Sequence, residues 1–378
     1  MTTTWISVCQ NFIMPLVAGL LATGTPTTET KTILAAEKKA ELRGEFFAPV
    51  YEELLDRGVS PEFVDQLAKD QNIVYKDDYI KMNVQNIIPR PGGPSVGKVS
   101  SPTRSRSGKY SHNFTDYSVS QARAFVENNR TMLQAAEDEY GVPKEAIAAI
   151  MWVETKYGKF TGRDYVPNVY MNIAMANQPE FVNQSLRAAR GIYGEGDTYH
   201  QVALKVKERA DKKANWAIDE LVALSQIQES NKFDITQLRG SFAGAFGLSQ
   251  FLPSSYMQWA VDGDKDGKIN LFEAPDAIYS VANYLKTNGW ENTSQSHIKA
   301  VYHYNNSGDY VDAVLTLKER ISAPARMNIA SARKASTASK AIAKKPTIKK
   351  KNIAKASKGS NKKIAAKRKA SNVKVARR

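Results

Sequence analysis

A mainly α-helical fold is predicted by three observations on the 378-residue sequence. Apolar residues recur at three- and four-residue spacing through most of residues 34–321, and few windows alternate at the period of two that a half-buried strand requires. Turn residues fall between those windows, at Gly58, at Gly141-Val142-Pro143 and at Gly158, where helices stop. From about Ser322 the chain turns to Lys, Ala and Ser with almost no aromatics, a composition that cannot bury a core and predicts a disordered tail.

The elements follow in chain order. Residues 1–24 read as a signal peptide. Phe12 to Ala22 is an apolar run too short to span a bilayer, and Ala22 and Gly24 supply small residues before a cleavage site. Two features are atypical: no Lys or Arg precedes the run, and Pro15 interrupts it. No other segment is apolar for long enough to be transmembrane, so the mature chain is expected to be periplasmic or secreted. Cys9 is the only cysteine, which excludes an internal disulfide and a Cys-based zinc site. Residues 34–88 predict a small N-terminal helical lobe, with Ser60-Pro61-Glu62 as a capped helix start. Residues 89–111 are rich in Pro, Gly and Ser and predict a linking loop. The main domain, 112–321, is expected to carry helices over 119–140, 144–157, 201–229 and 276–288 around a small-residue loop, Gly240 to Gly247.

The net charge of +15 is not evenly spread. Residues 326–378 hold 19 Lys and Arg, and no Asp or Glu follows Glu319. The globular part is therefore mildly acidic, and the basicity belongs to the tail at 322–378. Such a tail can attach to an anionic polymer of the cell envelope. Without interleaved aromatics it is not expected to read nucleic acid specifically. The four histidines are dispersed without metal or triad spacing, and Trp152, Trp216, Trp259 and Trp290 read as core.

The informative helix is VPKEAIAAIMWVETKYG, in which Ile147, Ile150, Met151 and Glu154 share one face at i, i+3, i+4 and i+7. A carboxyl on an inward face loses water, which raises its pKa and lets it act as a general acid. Periodicity alone favours a partly buried Glu paired with a Lys or Arg. The loop GSFAGAFGLSQF adds glycines that let backbone approach a ligand, neutral hydrogen-bonding groups on Ser241 and Gln250, and flat surfaces on Phe251 and, further on, Tyr256. A tight packing loop would read the same way.

Residues 262–273 fit the twelve-residue EF-hand pattern. Asp262, Asp264 and Asp266 stand at positions 1, 3 and 5, Gly267 gives the turn, Lys268 offers a backbone carbonyl, Asn270 ligates at position 9, and Glu273 closes the site. A structural Ca²⁺ is expected. An unpaired loop of this kind is not a calcium sensor.

Three ordered blocks then closely resemble the lytic murein transglycosylase B family. They are IMWVETKYG, GSFAGAFGLSQFLPSSYMQWAVDGDKDGKINLFEAPDAIYSVANYLKTNGW and YHYNNSGDYVDAVLTL. The resemblance spans roughly residues 40–320 and implies a lysozyme-like helical catalytic domain acting on peptidoglycan glycan strands, with a monomer expected. It implies that Glu154 is the catalytic carboxyl, that Ser241 and Gln250 line the sugar cleft, and that Tyr304 and Asn305 are a Tyr-Asn pair near the carboxyl. The implied reaction cuts the β-1,4 bond between N-acetylmuramic acid and N-acetylglucosamine and closes a 1,6-anhydro ring, with one Glu acting first as acid and then as base. A muramidase that uses water, and a non-catalytic wall- or nucleic-acid-binding protein acting through its basic tail, are the alternatives. The chain departs from the family where Pro179 is followed by Glu180 and Phe181 instead of paired arginines, at Leu248 where an aromatic is common, and in a short stretch from Trp290 to Tyr302. Preference for the peptide stem is therefore left open.

Overall fold

The computed structural model describes residues 28–42, 44–85, 87, 110–231 and 234–324. The expected signal peptide, most of the linking loop and nearly all of the basic tail lie outside the described residues. Fourteen α-helices are described: α1 Thr28–Leu42, α2 Ala48–Asp56, α3 Pro61–Lys69, α4 Asp77–Ile80, α5 Asp116–Asn128, α6 Arg130–Tyr140, α7 Lys144–Thr155, α8 Val166–Ala174, α9 Pro179–Tyr193, α10 Asp197–Asn231, α11 Pro253–Trp259, α12 Ala274–Thr287, α13 Ser294–Tyr304 and α14 Gly308–Ser322. Among the described residues, strand is limited to β1 Asp164–Tyr165 and β2 Arg239–Gly240. They pair antiparallel, with Asp164 opposite Gly240 and Tyr165 opposite Arg239. The mainly α expectation holds. No helix among the described residues is long and apolar enough to cross a membrane.

Local sequence accounts for most helix ends. The Ser60 hydroxyl accepts from Phe63 N at 3.3 Å, with Pro61 at the first helical position. Thr115 caps α5, Ser307 caps α14, and a Thr293/Ser296 capping box starts α13. The single helix expected over 119–140 is instead two, α5 and α6. The side-chain amide of Asn129 donates to Phe125 O at 2.9 Å, and this local bond competes with continuation of the helix. Helix α7 ends at Thr155, two residues earlier than expected, because Lys156 and Tyr157 both take positive φ.

Two large apolar cores organise the body, beside a small cluster of Val84, Ile87, Ala189, Val202 and Val206. The first joins α2, α3 and α4 to α8 and α10, with Leu54, Leu67, Ile80, Tyr170, Leu221 and Leu224 among its buried members. The second joins α5, α6 and α7 to α12, α13 and α14, through Ile147, Ile150, Met151, Val281, Tyr310 and Leu317. Helix α10 packs on α8, and α7 packs on α14. The N-terminal helices are thus joined to the body through this core. Leu42 to Ile80 share one core with residues 166–284, because their apolar faces close over α8 and α10. The loop 240–251 belongs to both cores: Phe246 and Phe251 sit in the first and Leu248 in the second. Tyr304 also packs against both. That seam is where the site forms.

Candidate active site

Helix α7 is buried over its whole circumference from Ala146 to Trp152 and meets the seam only in its last turn. Glu154 stands in that turn, half-buried. Its Oε1 accepts a hydrogen bond from the Tyr310 hydroxyl at 2.6 Å. Burial raises its pKa from an ordinary 4.5 to about 7. The Tyr310 hydrogen bond and the charge of Lys156 pull the other way without cancelling it. The Tyr310 hydroxyl is itself driven well above its usual range by burial and then by Glu154, so it remains a donor. Among the described residues, no second carboxylate acts on Glu154.

The end of α7 is fastened to the loop of the seam. Thr155 Oγ1 donates to Leu248 O at 3.0 Å and accepts from Gly158 N at 3.0 Å. Lys156, held at φ +53, folds its ammonium back onto Trp152 O at 3.2 Å and the Asn113 amide oxygen, 4.9 Å from the Trp152 ring centroid. Burial lowers its pKa to about 8, with Glu154 opposing. The segment that Lys156 grips leads back to the carboxyl, since Tyr110 lies edge-on to Tyr310 with ring centroids 5.9 Å apart.

The expected cleft residues are partly brought together. Tyr304 stacks parallel to Tyr310, with centroids 6.4 Å apart and planes 8° apart, and its hydroxyl donates to Ser249 O at 2.6 Å. It therefore supports the ring that supports Glu154. Asn305 follows the end of α13 and is exposed, its backbone N donating to Val301 O. Gln250, at φ +51, donates from Nε2 to Thr161 O at 3.1 Å and Gly247 O at 3.0 Å, tying the loop to the turn after α7. The Ser241 hydroxyl is half-buried and accepts from Ala245 N at 3.2 Å. Two expectations fail. Tyr256 and Phe251 are only 4% and 2% exposed, so neither offers a face to a ligand. The Tyr256 hydroxyl is instead spent on Ile269 O at 2.8 Å. The exposed ring of the loop is Phe242, at 57%. The glycines also answer to the protein and not to a ligand: a Cβ at Gly244 would collide with the Tyr170 ring, and one at Gly247 with Leu271.

The acidic loop is pre-shaped by its own backbone. Asp262 accepts from Asp266 N and Gly267 N, and Asp266 accepts from Lys268 N. Asp262 and Asp264 each place a carboxylate oxygen within 4.8 Å of one on Asp276, which the twelve-residue pattern does not contain. Asp276 lies in the first turn of α12, is 4% exposed, and accepts from Gly263 N at 2.8 Å and Asn270 N at 2.5 Å. Burial, followed by Asp264 and Asp262, raises its pKa. Glu273, the expected closing ligand, is exposed and pairs with the Asn270 side-chain amide at 2.7 Å. Three hard oxygens converging with unneutralised charge fit a cation such as Ca²⁺.

A solitary carboxyl poised near neutrality, in a seam between two helical cores, is the arrangement of an acid–base site. The chain matches the family described as the transglycosylase SLT domain over residues 45–363, and it belongs to that family. The membrane-bound lytic murein transglycosylase B of Escherichia coli K12 is 34% identical over 186 residues, which cover 49% of this chain and 42% of that protein. The chain thus spans less than half the length of this curated relative. Among solved structures, the Escherichia coli lytic transglycosylase Slt35 in complex with calcium matches with a TM-score of 0.52 at 21% identity, covering 76% of this chain and 92% of that one. The Pseudomonas aeruginosa protein SltB3 in complex with NAG-anhNAM-pentapeptide matches with a TM-score of 0.52 at 19% identity, covering 75% and 80%. These two likenesses concern the fold.

Proposed function

We propose that this chain is a lytic transglycosylase that cleaves peptidoglycan between N-acetylmuramic acid and N-acetylglucosamine, with Glu154 as sole acid and base. One observation carries the reading: Glu154 has a pKa of about 7 and, among the described residues, a single hydrogen-bond donor and no carboxylate partner. A group with its pKa near the working pH exists in both forms, which a residue acting in both directions requires. Protonated Glu154 gives its proton to the glycosidic oxygen, the C1–O bond breaks, and N-acetylglucosamine leaves as the alcohol. Ionised Glu154, steadied by the Tyr310 hydroxyl and the Lys156 charge, then takes the proton of the muramic acid C6 hydroxyl, whose oxygen bonds to C1. The proton returns to Glu154 and no water is consumed. A retaining hydrolase would need a second carboxylate about 5–5.5 Å away, and among the described residues none acts on Glu154. Intramolecular closure also has an entropic advantage over capture of water.

Asp262, Asp264 and Asp276 would hold a Ca²⁺ ion, whose contribution is to neutralise their charge and fix the turn between α11 and α12. The site of action is the cell envelope, where the basic tail adds electrostatic attachment to anionic polymer. Mass spectrometry of muropeptides released from purified sacculi tests the reaction. Anhydro-muramic ends are expected, and reducing ends would make the protein a muramidase.

A further inference from the structure

We propose that the cavity between Phe46, Tyr75 and helix α9 is a second glycan-binding subsite that holds an N-acetylated sugar of the strand, away from Glu154. This deepens the reading of the chain as a glycan-cleaving enzyme and rests on it. The cavity has a volume of about 350 Å³ and is lined by Phe46, Tyr75, Glu180, Phe181, Gln184 and Arg187.

Phe181 is 7% exposed and forms the floor, and the Tyr75 ring lies over it at 6.1 Å and 24°. Phe46 stands edge-on to Tyr75 at 5.3 Å. Yet Phe46 remains 44% and Tyr75 50% exposed, so two aromatic faces are held open to water where a collapsed core would have hidden them. Exposed apolar surface rimmed by polar groups marks a binding site. The polar rim comes from one helix: Glu180, Gln184 and Arg187 recur at i, i+4 and i+7 along a single face of α9. Neither Glu180 nor Arg187 forms an ion pair among the described residues, whereas nearby Arg190 does, with Glu195.

The chemistry selects the ligand. A pyranose has an apolar face of C–H groups for a ring to cover, and a rim of hydroxyl and acetamido groups for amide, carboxylate and guanidinium partners. An anionic peptide stem fits less well, because Arg187 is opposed by Glu180 and by Asp77, which accepts from the Tyr75 hydroxyl and is only partly answered by Lys81. The segment that carries Tyr75 also reaches the loop of the seam. Tyr79, four residues beyond Tyr75, has its ring 4.8 Å from that of Phe242, the exposed aromatic next to Ser241. A second hold on the same strand raises avidity for polymer without touching the chemistry of one bond.

The test uses the full chain carrying Glu154→Gln, so that glycan is bound and not cut, with and without Phe46→Ala plus Tyr75→Ala. The probes are an N-acetylglucosamine hexamer, followed by titration calorimetry, and purified sacculi, followed by co-sedimentation. The aromatic double variant is expected to weaken both by about tenfold. In the background that keeps Glu154 it is expected to leave turnover of a short soluble muropeptide unchanged. Equal binding by the two proteins, with circular dichroism confirming that both are folded, overturns the proposal. So does binding of a free stem tetrapeptide, lost in the double variant, with no binding of the hexamer. Absence of any glycan cleavage by the unsubstituted chain, together with intact hexamer binding, would instead overturn the catalytic reading and leave the subsite standing.

Discussion

Glu220 on α10 and Glu154 on α7 are both glutamates set among apolar side chains, and burial raises the pKa of each. Their surroundings differ in the number of donors. Glu220 is 2% exposed and fully engaged: Oε2 accepts from Ser254 N and Oε1 from the Ser254 hydroxyl, both at 2.8 Å. Because Ser254 lies in the first turn of α11, the carboxylate satisfies a helix N–H that would otherwise lack a partner. Glu154 has one donor, the Tyr310 hydroxyl, and reaches the edge of the seam. Burial alone does not make a catalytic acid. A carboxyl saturated with donors is a brace, and one left short of them keeps oxygens free for a substrate.

Exchanging the two acids for their amides should separate these roles. Glu154→Gln is expected to lower murein release by roughly 10²–10⁴-fold, the usual contribution of a general acid–base group, measured as soluble muropeptide per folded molecule. It should also stabilise the fold at high pH. The folded pKa lies above the unfolded value, so the wild-type carboxyl costs stability as pH rises from about 4.5 to 7 and costs most above that window. A higher melting temperature for the amide at pH 8, and little difference at pH 4, is the expected pair of results. Glu220→Gln should act on the fold and not on the reaction. Placing an amide NH₂ against a donor is expected to cost about 1–3 kcal/mol of stability, while activity per folded molecule stays the same.

Smaller perturbations sharpen the contrast. Tyr310→Phe removes the single donor to ionised Glu154, so the pKa of Glu154 rises further and the limb of the rate profile that it governs should move up by about one unit. Lys156→Met should move that limb in the same direction by less, since the ammonium acts through space. Lys156→Arg should restore most of it. A shift toward lower pH in either case would contradict the assigned electrostatics. Removal of Ca²⁺ by chelation is expected to lower the melting temperature by a few degrees, and Asp276→Asn should abolish that response. If Glu273→Gln abolished it and Asp276→Asn did not, the twelve-residue pattern would have named the ligand set correctly.

The helices were legible in the sequence because spacing and caps act locally. Ser60-Pro61-Glu62 starts a helix by itself, and Gly141 ends one with its left-handed backbone. The split at Asn129 was not legible, since it depends on one amide reaching one carbonyl. The union of residues 42–80 with the main body was not legible either, because an apolar face does not say which partner will cover it. Glu154 could be read as the candidate acid from its face and from the three recognised blocks. Tyr310 and Asp276 could not be, since each joins its site only through folding: Tyr310 from a helix 156 positions away, Asp276 from beyond the acidic pattern. Tyr256 misled for the same reason, its hydroxyl finding the Ile269 carbonyl in the interior.

The ionisation of the Glu154 carboxyl can be observed directly. In protein labelled with ¹³C at the glutamate side-chain carboxyl carbon, the resonance absent from the Glu154→Gln variant identifies this group, and its shift is followed from pH 3 to 9. A midpoint near pH 7 is predicted, with a further upward move in Tyr310→Phe. A midpoint near 4.5 would show an ordinary solvated glutamate and would contradict a single group serving as both acid and base.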